Sequence, residues 1–246
     1  METSRSLSPP TPRPLHPTAG VVVPAGGSGQ RLGGAAKQFR LLGDAPVLVQ
    51  TLRAFARHPG VGPVVVAVPA GHVDATRALV AGFGVEATVV AGGATRQASV
   101  AAGVAALPDP TEVVLVHDAV RPFVSQALIA RAIAAVREHG AAAAAVPVSD
   151  TLRSAAAGRF GATVDRGGLW AMQTPQGATR RVLESAIAGH GDAATTDEAG
   201  LLALAGIAVA VVEGDARNVK VTTPTDWALA LALWPSWVAT GEACAP

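Results

Sequence analysis

The chain has 246 residues and a formal net charge of +1, and its 19 lysines and arginines form no basic block, which excludes the cationic face of a nucleic-acid binder and leaves a small-molecule partner. One cysteine, Cys244, excludes a disulfide framework and a cysteine-based zinc site. Every apolar run is interrupted well short of the roughly 18 residues a membrane span needs, so the expectation is a soluble protein of the reducing cytoplasm with no membrane partner.

Residues 1–17 hold five prolines and no apolar stretch of signal-peptide type, so 1–18 reads as a disordered tail. Beyond it, valine-rich runs at 20–24, 63–69, 85–91, 112–117 and 141–148 predict strands. Segments of helical period at 46–57, 72–82, 95–107 and 125–139 predict the helices between them. This alternation predicts an α/β fold, a doubly wound and mostly parallel sheet with helices on both faces. Between 149 and 174 the alternation breaks into polar hairpin strands with glycine turns, an excursion from the main sheet. Helices resume at 179–189 and 196–206, strands follow at 207–213 and 217–222, and a last helix runs from Pro224 to about Trp234, with Asp226 in its first turn. The expectation is one domain over 19–235 and a frayed end over 236–246.

Seventeen of the cations are arginines, and the two lysines, Lys37 and Lys220, stand in segments rich in glycine, asparagine or threonine. A lysine offers a compact point charge where arginine offers a planar fork, so both draw attention. Strand 20–24 runs straight into PAGGSGQRLGGAAKQ. Glycines at the carboxyl end of a parallel strand let backbone N–H groups wrap phosphate oxygens, which makes Ala25, Gly26, Gly27 and Gly29 candidate nucleotide contacts. The glycines are equally compatible with a plain tight turn. Lys37 is followed by Gln38 and not by the Ser or Thr of a P-loop, and Leu32 stands where a dinucleotide fingerprint needs its third glycine. With no tyrosine in the chain, a dehydrogenase relying on a tyrosine acid is excluded as well. What remains is a phosphate loop bearing two cations, Arg31 and Lys37.

In order, PAGGSGQRL, KQ, LVQTLRAF, VHDAVRPFV, TVDRGGLWAMQTPQ, TTDEAGLLALAG and VEGDARNVKVTTPTD make the chain resemble, from 20 to 234, the 2-C-methyl-D-erythritol 4-phosphate cytidylyltransferase (IspD) family. The resemblance implies a Rossmann-like nucleotidyltransferase fold whose 149–174 excursion is a protruding β-arm for homodimerisation; Trp170, a large amphipathic side chain, reads there either as an interface anchor or as an ordinary core tryptophan. It implies condensation of CTP with a polyol phosphate, methylerythritol phosphate, releasing pyrophosphate, with Mg2+ held mainly by the CTP phosphates. Arg31 and Lys37 then match the pair that stabilises the transition state. Gly93 and Ser99, in GGATRQASV, match the base-recognition segment. Asp118 and Ala119 match nucleotide contacts; Asp118, between nucleotide and acceptor, is the one candidate for a metal contact, with helix capping as its plain alternative. Arg121, Thr163, Arg180, Thr196 and Lys220 match residues that position the acceptor, Thr163 and Arg180 across a subunit boundary. Two departures stand out: Ala36 replaces the family's usual proline before the lysine, and Ala94 replaces an acidic residue in the base segment.

The attacking phosphate is already an anion near neutral pH, its second pKa being about 6, so no strong base is required. His117 therefore reads as a structural strand-end residue, and Arg96 as a surface charge. Lys220, between Val219 and Val221, reads by alternation alone as the exposed face of an edge strand, with Thr222 on the same face. Alternatives to the main reading are a ribitol 5-phosphate or related alditol-phosphate cytidylyltransferase and, more remotely, a non-catalytic nucleotide-binding regulator. The glycine spacing disfavours a dinucleotide-dependent oxidoreductase.

Overall fold

The computed structural model describes residues 19–27, 37–191 and 193–243. In chain order the elements are β1 Ala19–Pro24, a small hairpin of β2 Leu41–Leu42 and β3 Ala45–Pro46, α1 Val47–Ala56, β4 Val61–Val68, α2 Val73–Gly82, β5 Thr88–Ala91, α3 Arg96–Ala105, β6 Val113–Val116 and α4 Gln126–His139. They continue with β7 Ala141–Pro147, β8 Leu152–Ala156, β9 Arg159–Val164, β10 Trp170–Thr179, α5 Arg180–His190, α6 Glu198–Leu204, β11 Ala210–Glu213 and α7 Pro224–Ala239.

Seven strands make the main sheet in the order β11-β7-β10-β6-β1-β4-β5. β1 lies between β4 and β6 in parallel, with Val22 opposite Val65 on one side and Val116 on the other. The valine runs work because a sheet covered on both faces needs apolar residues at every position. Val21 and Val23 point to the face covered by Leu48, Leu52 and Phe55 of α1 and by Leu128 and Ile129 of α4. Val22 points to the other, with Val100 and Val104 of α3, Leu183 of α5 and Leu201 of α6. Each such side chain taken fully out of water contributes about 1.5–3 kcal/mol before entropy is counted. Local signals set the helix ends. Ser125 caps α4 by accepting from the Leu128 N–H, and Gly140, at φ 82°, closes it in the left-handed conformation that glycine adopts without strain. Thr223 and Asp226 form a reciprocal capping box around Pro224 at the start of α7.

Several expectations need correction. The hairpin expected within 149–174 is present as β8 with β9, turning at Ala157 (φ 48°) and Gly158 (φ 72°), but the segment does not end there. The chain then re-enters the main sheet as β10, which runs antiparallel between β6 and β7. That long strand lies hidden in WAMQTPQGAT because Pro175 and Gly177 break any strand pattern, and a register shift between Met172 and Gln176 interrupts the pairing. Residues 217–222 form no strand; they run irregularly beside the β6 end, joined there by Val221 N–H to Val120 C=O at 2.9 Å. Helix α7 continues through Pro235 to Ala239, so fraying does not begin at 236.

Candidate active site

The carboxyl ends of β1, β5 and β6 open onto a cavity of about 300 Å³ walled by Ala25, Gly26, Gly27, Lys37, Gly93, Arg96, Ser99, Asp118, Ala119 and Lys220, among others. A smaller cavity of about 160 Å³ lies against it, lined by Arg121, Thr174, Gln176, Thr196 and Asp197. Arg96, Asp118 and Lys220 belong to both walls. A charged partition therefore separates two compartments.

Each side of the larger cavity has a local cause. The Ala25 N–H continues the β1–β4 ladder to Ala67 C=O, while Gln38 donates to the Ala25 and Gly27 carbonyls at 3.0 and 3.4 Å. Gln38 thus ties the return of the glycine loop to its start and sets the adjacent Lys37 in the cavity wall. At Gly26 and Gly27 an added Cβ would meet nothing within 4 Å among the described residues, which leave their backbone open to a ligand. Gly93 is needed for close packing: a Cβ there would stand 2.3 Å from the Ala98 Cβ, so the loop can approach α3 closely only with glycine. The Ser99 hydroxyl is turned back to the Thr95 and Gly93 carbonyls at 2.9 and 3.3 Å, which leaves its lone pairs for a ligand.

Asp118 follows β6 and is buried in the partition. Lys220 Nζ stands 2.9 Å from its Oδ2, Arg121 Nε 3.2 Å from the same oxygen, and Arg96 Nη2 3.6 Å from Oδ1. Burial by itself raises the carboxyl pKa, but Lys220, Arg96 and Arg121 together outweigh it and hold the group well below the ordinary carboxylate range. Arg121 lines the smaller cavity, and its other N–H groups are directed to the Asn218 and Met172 carbonyls at 2.8 and 3.4 Å. Asn218 in turn donates to the Thr174 carbonyl at 2.7 Å, which holds the irregular strand-less segment so that Lys220 reaches Asp118. Asp118 is the one carboxylate among the described residues of the larger cavity, and three cations surround it; no group of three potential metal ligands occurs among the described residues.

His117 is fully buried and bonded on both ring nitrogens. Nε2 lies 3.0 Å from the Arg121 carbonyl, which can only accept, so Nε2 carries the proton and Nδ1 accepts from the Thr174 hydroxyl at 3.0 Å. Burial pushes its pKa down to about 4, against the pull of the Arg121 carbonyl and Asp118. The imidazole is a neutral brace for the β6 end, in line with the structural reading.

Other expected residues lie elsewhere. Thr196 lines the smaller cavity but does not cap α6; Asp197 does, accepting from the Gly200 N–H. Thr163 lies on exposed β9 opposite Arg153, in neither cavity. Arg180 begins α5 just after Thr179, which pairs with Val113 at the amino end of β6. That is about 16 Å along the strand from Asp118. There Arg180 pairs with Asp109 and Glu184 at 2.8 and 2.7 Å, so within this chain it does not join the cluster. Gly29 and Arg31 lie outside the described residues. Thr222 directs its N–H and hydroxyl to Asp226 Oδ2 and takes part in the capping of α7.

Arg96 overturns the surface-charge reading: it makes a two-pronged pair with fully buried Glu198, at 2.6 and 2.9 Å. A signal was present, since a cation in the first turn of a helix opposes the macrodipole and calls for a nearby anion. Burial works against the charge of Arg96, but Glu198 more than compensates and raises its pKa. Sequence reasoning misses Gln173, Thr174, Gln176 and Asn218 too, because their grouping depends on the unrecognised strand β10.

The family model described as IspD: 2-C-methyl-D-erythritol 4-phosphate cytidylyltransferase matches residues 19–235. A protein of that name from Salinibacter ruber is 54% identical over 221 residues, covering 88% of this chain and 93% of its own. The crystal structure of a 2-C-methyl-D-erythritol 4-phosphate cytidylyltransferase from Thermus thermophilus matches with a TM-score of 0.76 and 37% identity over 89% of this chain and 99% of that one. A bifunctional IspD/IspF enzyme from Desulfotalea psychrophila is 42% identical over 212 residues, and the chain spans 55% of its length. With the family model, a near full-length relative and a shared fold all in agreement, the chain belongs to the 2-C-methyl-D-erythritol 4-phosphate cytidylyltransferase family of nucleotidyltransferases.

Proposed function

We propose that the protein condenses CTP with 2-C-methyl-D-erythritol 4-phosphate to give 4-diphosphocytidyl-2-C-methyl-D-erythritol and pyrophosphate. The observation that carries this reading beyond family membership is the partition: two adjoining cavities share Arg96, Asp118 and Lys220, so two anionic substrates can meet across one charged wall. The larger cavity takes the nucleotide, its phosphates toward the open backbone of Gly26 and Gly27. The smaller takes the acceptor beside Thr196, Arg121 and Lys220.

In the reaction an oxygen of the acceptor phosphate forms a bond to the α-phosphorus of CTP. The bond from that phosphorus to the α,β-bridging oxygen breaks, and its electron pair leaves with pyrophosphate. The attacking oxygen is already deprotonated, so the work of the site is to bring like charges together and to neutralise charge on the phosphoryl oxygens. Lys37 supplies a point charge on the nucleotide side, with Arg31 as its proposed companion in the loop. Lys220, held by Asp118, supplies one on the acceptor side. Asp118 keeps the cations from dispersing when the site is empty and leaves Lys220, 44% exposed, within reach of the acceptor phosphate. The nucleotide enters as its magnesium complex: a lone carboxylate ringed by three cations is poorly suited to hold a divalent ion alone, and the triphosphate is the richer set of hard oxygen ligands.

The proposed homodimer rests on apolar exposure at the excursion. Phe160 is 83% exposed, and Val164, Leu169, Trp170 and Met172 are also uncovered. Thr163 belongs to the same hairpin and is proposed to act on the partner's acceptor site and not on its own. The proposed compartment is the reducing cytoplasm, consistent with a single cysteine; no helix among the described residues is long and apolar enough to cross a membrane. Phosphorus NMR of the protein incubated with magnesium, CTP and methylerythritol phosphate tests the reading. A pair of diphosphodiester resonances growing with pyrophosphate is expected, and CMP with phosphate as the only products would sink it.

A further inference from the structure

Glu198 is fully buried and touches neither cavity, yet it carries a carboxylate bonded to both Nη atoms of Arg96. Such a pair is a poor stability device. Removing two charges from water offsets most of their attraction, and apolar residues of similar volume often serve as well or better. Its placement suggests another use. Arg96 opens α3, directly after the 93–95 loop in the wall of the larger cavity, and Glu198 opens α6, two residues after Thr196 in the wall of the smaller one.

The same segment is gripped at further points. Gln97, next to Arg96, donates to the Thr195 hydroxyl. Gln176 donates to Asp197 Oδ2 at 2.9 Å and accepts from the Ala199 N–H at 2.8 Å. Residues 195–199 are therefore clamped between the start of α3 and the irregular part of β10. A ligand that draws on Arg96 from the larger cavity acts through two short charge-assisted bonds on Glu198, and so on the backbone that carries Thr196.

We propose that Glu198 is a positioning residue that, through Arg96, makes the affinity of one cavity depend on occupancy of the other. This rests on the assignment of the two cavities to nucleotide and acceptor made above. Coupling of this kind is reciprocal: whatever factor the acceptor adds to nucleotide affinity, the nucleotide adds to acceptor affinity.

Titration calorimetry with magnesium α,β-methylene CTP, which cannot be cleaved at that bridge, and with methylerythritol phosphate tests the proposal, each ligand being titrated alone and with the other saturating. The native protein is expected to show at least about a 5-fold mutual change in Kd. Glu198→Gln keeps the shape of the side chain but loses the charge and one acceptor oxygen, and is expected to bring that factor close to one. If Glu198→Gln fails to fold, Glu198→Asp, which keeps the charge but draws it back from Arg96, takes its place, and the factor is again expected to fall toward one. Full coupling in a folded variant, or no coupling in the native protein although both ligands bind, overturns the proposal alone. A native protein that binds neither ligand overturns the cavity assignment and the proposal with it.

Discussion

Lys220 Nζ stands 2.9 Å from Asp118 Oδ2, although 102 positions separate the two residues and neither belongs to a regular element. The pairing is built from two sides. His117 and Thr174 brace the β6 end, the Asp118 N–H donating to the Thr174 hydroxyl at 3.1 Å, and Asn218 hangs the Lys220 segment from the Thr174 carbonyl. One residue, Thr174, thus sets both halves of the partition.

Asp118 and Lys220 are therefore expected to act as a unit. Asp118→Asn and Lys220→Ala should each lower kcat/KM by about 100-fold or more. Combined, they should lose less than the product of the single losses, with a coupling energy of about 1–3 kcal/mol in a double-mutant cycle. Strictly multiplicative effects would show that the two do not work through each other.

For Lys37 the expected effect is on the chemical step. Lys37→Ala should reduce kcat by about 100- to 1000-fold, as loss of a positioned donor commonly does, while CTP binding by calorimetry remains measurable. Unchanged turnover would remove Lys37 from the transition state.

Acid stability separates His117 from Asp118. The folded pKa of His117 is depressed to about 4 from about 6.5, so its neutral burial contributes fully above pH 6.5 and is lost as pH falls from 6.5 to 4, by up to about 3 kcal/mol. The Asp118 carboxyl is also depressed, to below the ordinary range, so its contribution is present above about pH 4 and is lost only in stronger acid. Between pH 7 and 4, the Tm of a His117→Gln variant should fall less steeply than that of the native protein, whereas Asp118→Asn should match the native slope there. Equal slopes for His117→Gln and the native protein would mean that the imidazole is not neutral and buried as described. Because His117 is not a base, a rising rate limb near pH 6 should persist in His117→Gln, set by ionisation of the acceptor phosphate.

Arg180 and the β8–β9 hairpin give opposite expectations. Arg180→Ala should change the acceptor KM by less than about 3-fold, since its partners form an exposed ion-pair group at the far end of β6. Phe160→Asp should shift the sedimentation coefficient from dimer toward monomer if the hairpin forms the proposed interface. A large acceptor KM increase in Arg180→Ala, or an unchanged dimer in Phe160→Asp, would count against these assignments.

Much of this architecture is legible in the sequence because its signals are local. The buried valine runs, the Pro224 and Asp226 start of α7 and the glycine segment after β1 each declare themselves within a few residues. The Lys37–Gln38 pair is visible as a motif, though not the bonds by which Gln38 closes the loop. Sequence reading fails where position depends on distant chain. Lys220 reads by alternation as an exposed strand residue, but its place follows from the Asn218 and Val221 bonds to segments far away in sequence. The length of β10 carries Arg180 to the end of the sheet opposite Asp118, so its expected contact, across a subunit boundary, is not one made within this chain. Arg96 and Glu198 lie 102 positions apart, and only the helix-dipole conflict at Arg96 hints at a partner.

The central claim is a cytidylyl transfer to methylerythritol phosphate, and pyrophosphate release measured across CTP, UTP, ATP and GTP, each with methylerythritol phosphate or ribitol 5-phosphate, tests it most directly. Rapid release is predicted with CTP and methylerythritol phosphate, and at least about 100-fold lower kcat/KM for ribitol 5-phosphate with the same nucleotide. Release with ribitol 5-phosphate and none with methylerythritol phosphate, or no release with any pair, would contradict it.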